Sequence, residues 1–468
     1  MSGIINAMPT VKRFIEILFT LAINLRSPED LRQCFEKLGP TFIKLGQLLA
    51  ARPDLIPKRY SDEFEKLLDR IPQTKYTNLI RVLEKEFGRI HTAKIIHISE
   101  NAIASASIAQ VHVGTLANGK KLAIKIRHPH IKEQINTDLQ ILKVVAKIIA
   151  LLKITRGVDI VNINDNFSDW ILNELNFMTE AQRMNKFRKN LGEDTHVVIP
   201  RVIDELTCES ILTMDYLEGI TINAVLQMMQ DKGVNDPNKL KLPFKVDFEE
   251  FIYRAVESFL FKQMLQDGYF HADPHPGNLM ILPDNKLGLL DYGIIGILDR
   301  KEHRQVILLT LGVVQNDPNL LVQLMATISE SKLSHKEKLK IETKMSKVLH
   351  NIHSGEIANA NSARVMLVLL EEGKEHGIQL GTGIILGVRT IALLEGIGVR
   401  LVPNMSLVDI LKPHIRKFLV KEFQHELSEE SLYRKLIKLL SLEEQTSNLF
   451  SIIDEDGLKI SLSEKDTV

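Results

Sequence analysis

HADPHPGNLMILPDNKLGLLDYG, residues 271–293, gathers His271, Asp273, His275, Asn278 and Asp291 into one short segment. Proline and glycine punctuate its first half, and a strand-like run, LGLLDYG, closes it. The stretch LMILPDNKLGLLD reads as a hairpin, which would bring Asn278 back alongside Asp291. Two oxygen donors would then face one site, and a hard cation such as Mg²⁺ takes oxygen where thiol and imidazole do not suit it. Asn278 and Asp291 are therefore the candidate metal ligands. His271 and His275 have the i, i+4 spacing of a zinc pair, but Pro274 and Pro276 exclude the regular helix such a pair needs.

A phosphoryl-transfer site needs a carboxylate near the attacking group and oxygen ligands for a metal bridging the nucleotide phosphates. The template H-R-D-x-x-x-x-N, followed by D-F-G, supplies both. Here four residues separate Asp273 from Asn278, as in the template, and DYG at 291–293 has Tyr292 in place of Phe. Asp273 is the candidate catalytic carboxylate. Upstream, LAIKIRHP (122–129) matches V-A-I-K and offers Lys125 as the phosphate-pairing cation. Its partner should be a glutamate on the next helix. WILNELNFMTEAQRMNKF (170–187) holds Glu174 and Glu180, and Glu180 is preferred as central in the helical run. A lysine held by a carboxylate stays charged and aimed at phosphate oxygens. Lys125→Ala is thus expected to cut ATP turnover while leaving the melting transition largely intact.

No G-x-G-x-x-G precedes Lys125. AIASASIAQVHVG (102–114) stands in that place, with Ala104, Ala106 and Ala109 where glycines would be expected. Ala104, Ser105, Ala106 and Ser107 are the candidate nucleotide contacts on this loop. Alanine permits close backbone approach but disfavours positive φ, so a stiffer loop is expected.

The whole chain bounds the rest. Its 468 residues suit two or three lobes. Hydrophobic residues at 44% and charged residues at 25% are those of a soluble globular protein. With 59 basic and 59 acidic residues, nothing suggests a nucleic-acid binder. Cys34 and Cys208 stand far apart, which argues for a reducing compartment and against a disulfide framework or structural zinc. FIEILFTLAINL (14–25) carries Glu16 and no cleavage site follows, so it does not read as a signal peptide. VVAKIIALLKI (144–154) is broken by Lys147 and Lys153, and GTGIILGVRTIALLEGIGV (381–399) by Arg389 and Glu395. A spanning helix wants ~20 nearly uncharged residues, so neither is expected to cross a bilayer. The expected location is cytoplasmic, with peripheral contact at the inner face of a membrane left open.

Periodicity predicts helices over 11–90, with stops at Pro40, Pro53, Pro57 and Pro72. Residues 95–127 alternate as strands around an Asn-Gly turn at 118–119. Helices are expected over 130–153 and 165–191, and strands over HVVIPRVIDEL (196–206) and SILTMDYLEG (210–219). Helices follow over 221–268, interrupted by a loop at 231–245, and over 300–423. The fold class is α+β, two-lobed, with a cleft between lobes. The expected divisions are a helical extension at 1–90, a small lobe at 91–220, a helical lobe at 221–440 and a polar tail at 441–468.

The alanine-rich loop, FIKLGQLLAARPDLIP (42–57), ELNFMTEA (174–181) and HADPHPGN occur together and in order. In this the chain resembles the UbiB/AarF family of atypical kinases, from about residue 30 to 300. The resemblance implies a bilobal protein-kinase-like fold whose N-terminal helical extension lies over the cleft, with a largely helical C-lobe. It implies ATP and Mg²⁺ as cofactors, ATPase or kinase activity, and a link to ubiquinone or other isoprenoid lipid metabolism, through a quinone-type lipid or a biosynthetic enzyme complex. The family's K-x-G-Q motif matches Lys44, Gly46 and Gln47, and implies that Lys44 and Gln47 reach the nucleotide site and hinder protein substrates. Gly46 would allow close approach of backbone to backbone. The family's E-x-D reads Glu174-Leu175-Asn176 here, an amide for the second acid, and its EAxN reads EAQR, with Arg183. Bacterial members often carry hydrophobic C-terminal segments, and DEDGLKISLSEKDTV is not one.

Two other readings stay open. Aminoglycoside and choline kinases carry a similar loop, although without the K-x-G-Q cover of residues 30–73. A nucleotide-gated scaffold without phosphoryl transfer is the third, kept alive by Asn176.

Overall fold

The fold is taken from a computed structural model that describes residues 11–17, 19–20, 27–50, 56–64, 66–67, 73–92, 94–152, 159–192, 196–328, 333–353, 365, 368, 381–403 and 405–415. Residues Met1–Ile410 make one compact unit. The polar tail expected at 441–468, most of the helical run expected over 354–380, and residues 416–423 lie outside the described residues.

The small lobe is built on strands β1 (Ile95–Ile98), β2 (Ala104–Ser105), β3 (Ala109–Leu116), β4 (Lys121–Arg127) and a later strand, Ile211–Asp215, which is β6. All pairings are antiparallel, in the order β1-β3-β4-β6 with β2 on β3. The Asn-Gly turn closes β3 onto β4, with Gly119 at φ +80°. Alternation divides the faces. Leu122, Ile124 and Ile126 of β4 are buried against Leu79 and Leu83 of a helix over Tyr76–Thr92. Lys125 falls between them and turns to the other face, in register with Val111 and Leu212.

Helix α1 (Pro28–Leu38) opens on Ser27, whose hydroxyl accepts from Asp30 N–H, and ends at Gly39. Pro40 then starts α2 (Pro40–Ala50), so this proline both stops one helix and begins the next. Helices α3 (Lys58–Phe64) and α4 (Tyr76–Thr92) follow. Phe35 stacks on Phe64 at 5.0 Å and meets Phe42 edge-on at 5.8 Å. This cluster reaches across the chain to Ile141 of α5 (Ile131–Leu151). Beneath it Asp138 is fully buried, bound by Arg13 at 2.8 and 3.1 Å and by the Thr41 hydroxyl at 2.6 Å. The extension therefore rides on α5 and on α6 (Ile160–Glu174).

The expected single helix over 165–191 is two. It breaks at Leu175, and Asn176 caps α7 (Phe177–Leu191) by accepting from Met178 N–H at 3.0 Å. Most of 196–206 is not strand: only Val197–Val198 (β5) and an isolated bridge at Val202 pair, since Pro200 lacks the donor a ladder needs. Strand β7 (Ile220–Thr221) leads into α8 (Ile222–Asp231), and α9 (Phe248–Val256) runs straight into a π-helix over Glu257–Gln266. Strand β8 (Tyr269–His271) pairs antiparallel with β11 (Ile295–Ile297), so residues 272–294 leave and return at one place. Between them β9 (Leu279–Leu282) and β10 (Lys286–Leu289) form the expected hairpin. Helices α10 (Arg300–Val314), α11 (Pro318–Ile328), α12 (His335–His353) and α13 (Thr382–Leu401) complete a largely helical second lobe. The architecture is α+β, two-lobed and protein-kinase-like.

Candidate active site

Both halves of the site are set by strand ends. The β9–β10 hairpin returns the chain so that Leu290 N–H donates to Asn278 O at 3.0 Å, and Ala272 N–H donates to Ile294 O at 3.1 Å. Asn278 and Asp291 thereby stand on adjacent backbones. Asn278 Nδ2 donates to Asp273 O at 3.1 Å and lies 3.4 Å from Asp273 Oδ2, which leaves its Oδ1 as the free oxygen donor. Gly293 N–H donates to Asp291 Oδ1 at 2.8 Å.

His271 ties the two segments together. It is buried, its Nε2 donates to the Asp291 carbonyl, and its Nδ1 accepts from Asp273 N–H at 3.3 Å. Those partners demand a neutral ring protonated on Nε2. Burial, against the pull of Asp273, holds the imidazole below its usual pKa. The π-helix adds Gln263, fully buried, whose Oε1 accepts from His271 N–H at 3.0 Å. Such insertions gather at functional sites, where they re-aim a side chain.

Lys125 projects from β4 into this cluster. Its Nζ lies 2.9 Å from both Glu180 oxygens and 3.1 Å from Asp291 Oδ2. Burial opposes its charge, but Asp291 and Glu180 outweigh burial and raise its pKa above the ordinary lysine value. Burial also resists ionisation of Asp291, yet Lys125, the Gly293 N–H and Lys44 hold it below the usual carboxylate range. Glu180 is pushed up by burial and by Asp291, against Lys125. Glu180 is not central in a helix. It sits in the first turn of α7, where the Asn176 cap delivers it.

Lys44, on α2, reaches Glu174 at 2.6 Å, and Glu174 Oε1 lies beside Gly293. Gln47 is half-buried one turn on, and among the described residues no hydrogen bond ties it to the cluster. Gly46 faces side chains and not backbone: a Cβ there would lie 2.2 Å from Leu67 Cδ1 and 3.0 Å from Phe35 Cδ2. Ala104 and Ser105 lie on β2, and Ala106 N–H donates to Ala109 O at 2.8 Å across the turn. His128 holds the loop by Ala106 O at 3.1 Å and Thr74 Oγ1 at 2.8 Å. Ser105 Oγ and Ser107 Oγ are buried with no hydrogen-bond partner among the described residues, hydroxyls an oxygen-rich ligand would satisfy.

Sequence reasoning met three residues without finding their roles. Arg183 clamps the DYG segment, donating to Tyr292 O at 3.1 Å and Gly293 O at 2.7 Å. Tyr292 is fully buried against Phe187 and His271, so it fills the place of Phe with its ring while its hydroxyl donates to Leu289 O. Arg389, met only as a charge interrupting an apolar run, stands 3.6 Å from Asp273.

Asn176→Ala is expected to cost ~1 kcal/mol through the lost cap, whereas Asn176→Asp keeps the acceptor and stays close to the parent. Chemical denaturation of the three proteins measures it, and an alanine variant as stable as the parent would dismiss the capping role.

Residues 66–325 match the ABC1 atypical kinase-like domain. An uncharacterised protein of Synechocystis sp. is 32% identical over 379 residues, 80% of this chain and 90% of its own length. A probable protein kinase UbiB of Tolumonas auensis is 29% identical over 421 residues, 87% of this chain and 74% of its own. The chloroplastic protein ACTIVITY OF BC1 COMPLEX KINASE 7 of Arabidopsis thaliana is 29% identical over 393 residues, 83% of this chain and 54% of its own.

Proposed function

The chain belongs to the ABC1 atypical kinase-like family, and from that premise we propose that it binds Mg²⁺–ATP in the cleft and acts as an ATPase or kinase. The observation that carries this reading is Lys125 held between Glu180 and Asp291 beside the Asp273–Asn278 turn. Magnesium, when bound, would neutralise charge on the nucleotide phosphates, and the Asn278 and Asp291 oxygens would hold it. Lys125, already charged and fixed by two carboxylates, is preorganised for phosphate oxygens at no cost of reorganisation. Asp273 would take the proton of an attacking water or hydroxyl. The oxygen of Asn176 caps a helix, which supports reading this amide as a structural residue and transfer as retained.

Ubiquinone or other isoprenoid lipid biosynthesis is the pathway class proposed, supported by the shared motifs and by the relative named UbiB. Among the described residues no helix is long and apolar enough to cross a membrane. Val144, Ile148 and Leu151 form an exposed apolar stripe on α5 beside Lys143 and Lys147, which supports peripheral contact with an anionic lipid surface.

Labelled ATP with Mg²⁺, with and without lipid extract, tests the reading by separating release of phosphate from transfer to an acceptor. Asp291→Asn is expected to weaken Mg²⁺–ATP binding in calorimetry at least tenfold, about the 1.5–3 kcal/mol of a charged contact. Unchanged affinity and unchanged metal dependence would remove Asp291 from the site.

A further inference from the structure

Asp273 is also approached from a helix far down the chain, a contact the reading above does not use. Arg389 of α13 puts Nη2 3.6 Å from Asp273 Oδ1, while Asn278 Nδ2 lies 3.4 Å from the other oxygen. The Arg389 side chain is 28% exposed and that of Asp273 26%, so water screens the pair only in part. The second arm, Nη1, is buried with no hydrogen-bond partner among the described residues. Burying a guanidinium arm without partners costs free energy, and Arg389 is the one charge in the run GIILGVRTIALL, 383–394. Something at this place repays keeping a cation there.

Glycine brings α13 close enough. A Cβ on Gly383 would lie 2.5 Å from the Ile297 carbonyl oxygen, and one on Gly387 3.3 Å from Met264 Cε. Ile297 belongs to β11 and Met264 to the π-helix, the two elements that flank the 272–294 segment. The turn itself holds no permanent cation: Pro274, His275, Pro276 and Gly277 are all that separate Asp273 from Asn278.

The geometry points to Arg389 as a positioning residue for Asp273. Its planar guanidinium fixes the rotamer of the carboxylate from one side while Asn278 fixes it from the other, so that the carboxylate faces the attacking group. This rests on the reading of the cleft as a nucleotide site. Because Asp273 acts on the attacking group and Lys125 on the phosphates, losing Arg389 should lower kcat and spare ATP binding.

The test follows ATP turnover by the full chain in the parent, Arg389→Met, Arg389→Lys, Asp273→Asn and the double variant Asp273→Asn with Arg389→Met. Arg389→Met is expected to lower kcat roughly 10- to 100-fold, a share of the ~10²–10⁴ a positioned base supplies, with KM for ATP within about twofold. Arg389→Lys should restore part of the loss, and in the Asp273→Asn background Arg389→Met should cost nothing further. Unchanged kcat, a rise in KM alone, or the same fractional loss in both backgrounds would overturn the inference, the last marking a merely structural arginine. If Arg389→Met melts early, free guanidinium is added to it: return of kcat supports the role, and no return overturns it. A parent chain with no ATP turnover would instead sink the nucleotide reading itself.

Discussion

Replacing Lys125 with methionine is expected to lower ATP turnover by roughly 10²–10³-fold, the loss seen when one preorganised charge-stabilising donor is removed. The same change is expected to lower stability at pH 7 by ~3 kcal/mol, because it leaves Glu180 and Asp291 facing one another without the cation between them. The figure sits at the low end for a broken ion pair, since the Asp291 side chain is 42% exposed and water screens it. This reverses the expectation from sequence that the melting transition would survive the loss of Lys125. The pH dependence gives the sign. Glu180 is already raised by burial, so its ionised form weighs against the fold and protonation relieves it. The stability gap between variant and parent should therefore be widest near neutrality and narrow as pH falls toward the Glu180 pKa. Thermal unfolding from pH 8 down to pH 5 measures it. A gap that stays constant or widens on acidification would remove Glu180 as the uncompensated charge.

Asp138→Asn is expected to destabilise the fold by about 3–5 kcal/mol, the range for breaking a buried ion pair by removing one charge. Asp138 is fully buried, and Arg13, whose side chain is 17% exposed, has its guanidinium on both carboxylate oxygens. The amide keeps a bond to Thr41 but leaves Arg13 without its buried counter-charge, with only Glu16, half-exposed, at 3.1 Å. Urea unfolding of the two proteins decides: a difference under ~0.5 kcal/mol would show that the hydrophobic cluster alone fixes the extension. Since α2 carries Lys44, the variant should also loosen the Lys44–Glu174 tie, visible as faster exchange of the α2 amides.

What could be read beforehand follows the range of the signal. The β3–β4 and β9–β10 hairpins were legible because Asn118-Gly119 and the alternation of LMIL with KLGL are local. So was the pairing of Asn278 with Asp291, which the second hairpin enforces. The break at Leu175 was not, because NELNFMTEA keeps helical spacing through it and only the Asx cap at Asn176 marks the new start. The π-helix at 257–266 hides for a related reason: the 3.6-residue period that finds helices cannot register one inserted residue. Arg183 and Arg389 escaped because their partners lie 109 and more residues away. The signal for Arg389 was a lone charge in an apolar run, and it was used only to argue against a membrane span.

The Arg13–Asp138–Thr41 junction has a consequence for how the chain comes off the ribosome. Its members stand 125 and 97 residues apart, and the same junction brings Phe42 and Phe35 into one cluster with Ile141. Domains generally fold as they emerge, N-terminal parts first. Here Phe35, Phe42 and Phe64 pack on one another within the extension, but Ile141 and the buried counter-charge Asp138 join them only once α5 has been made, after strands β1 to β4. The translation of residues 131–151 therefore sets the moment at which the extension gains its last apolar neighbours and its buried ion pair.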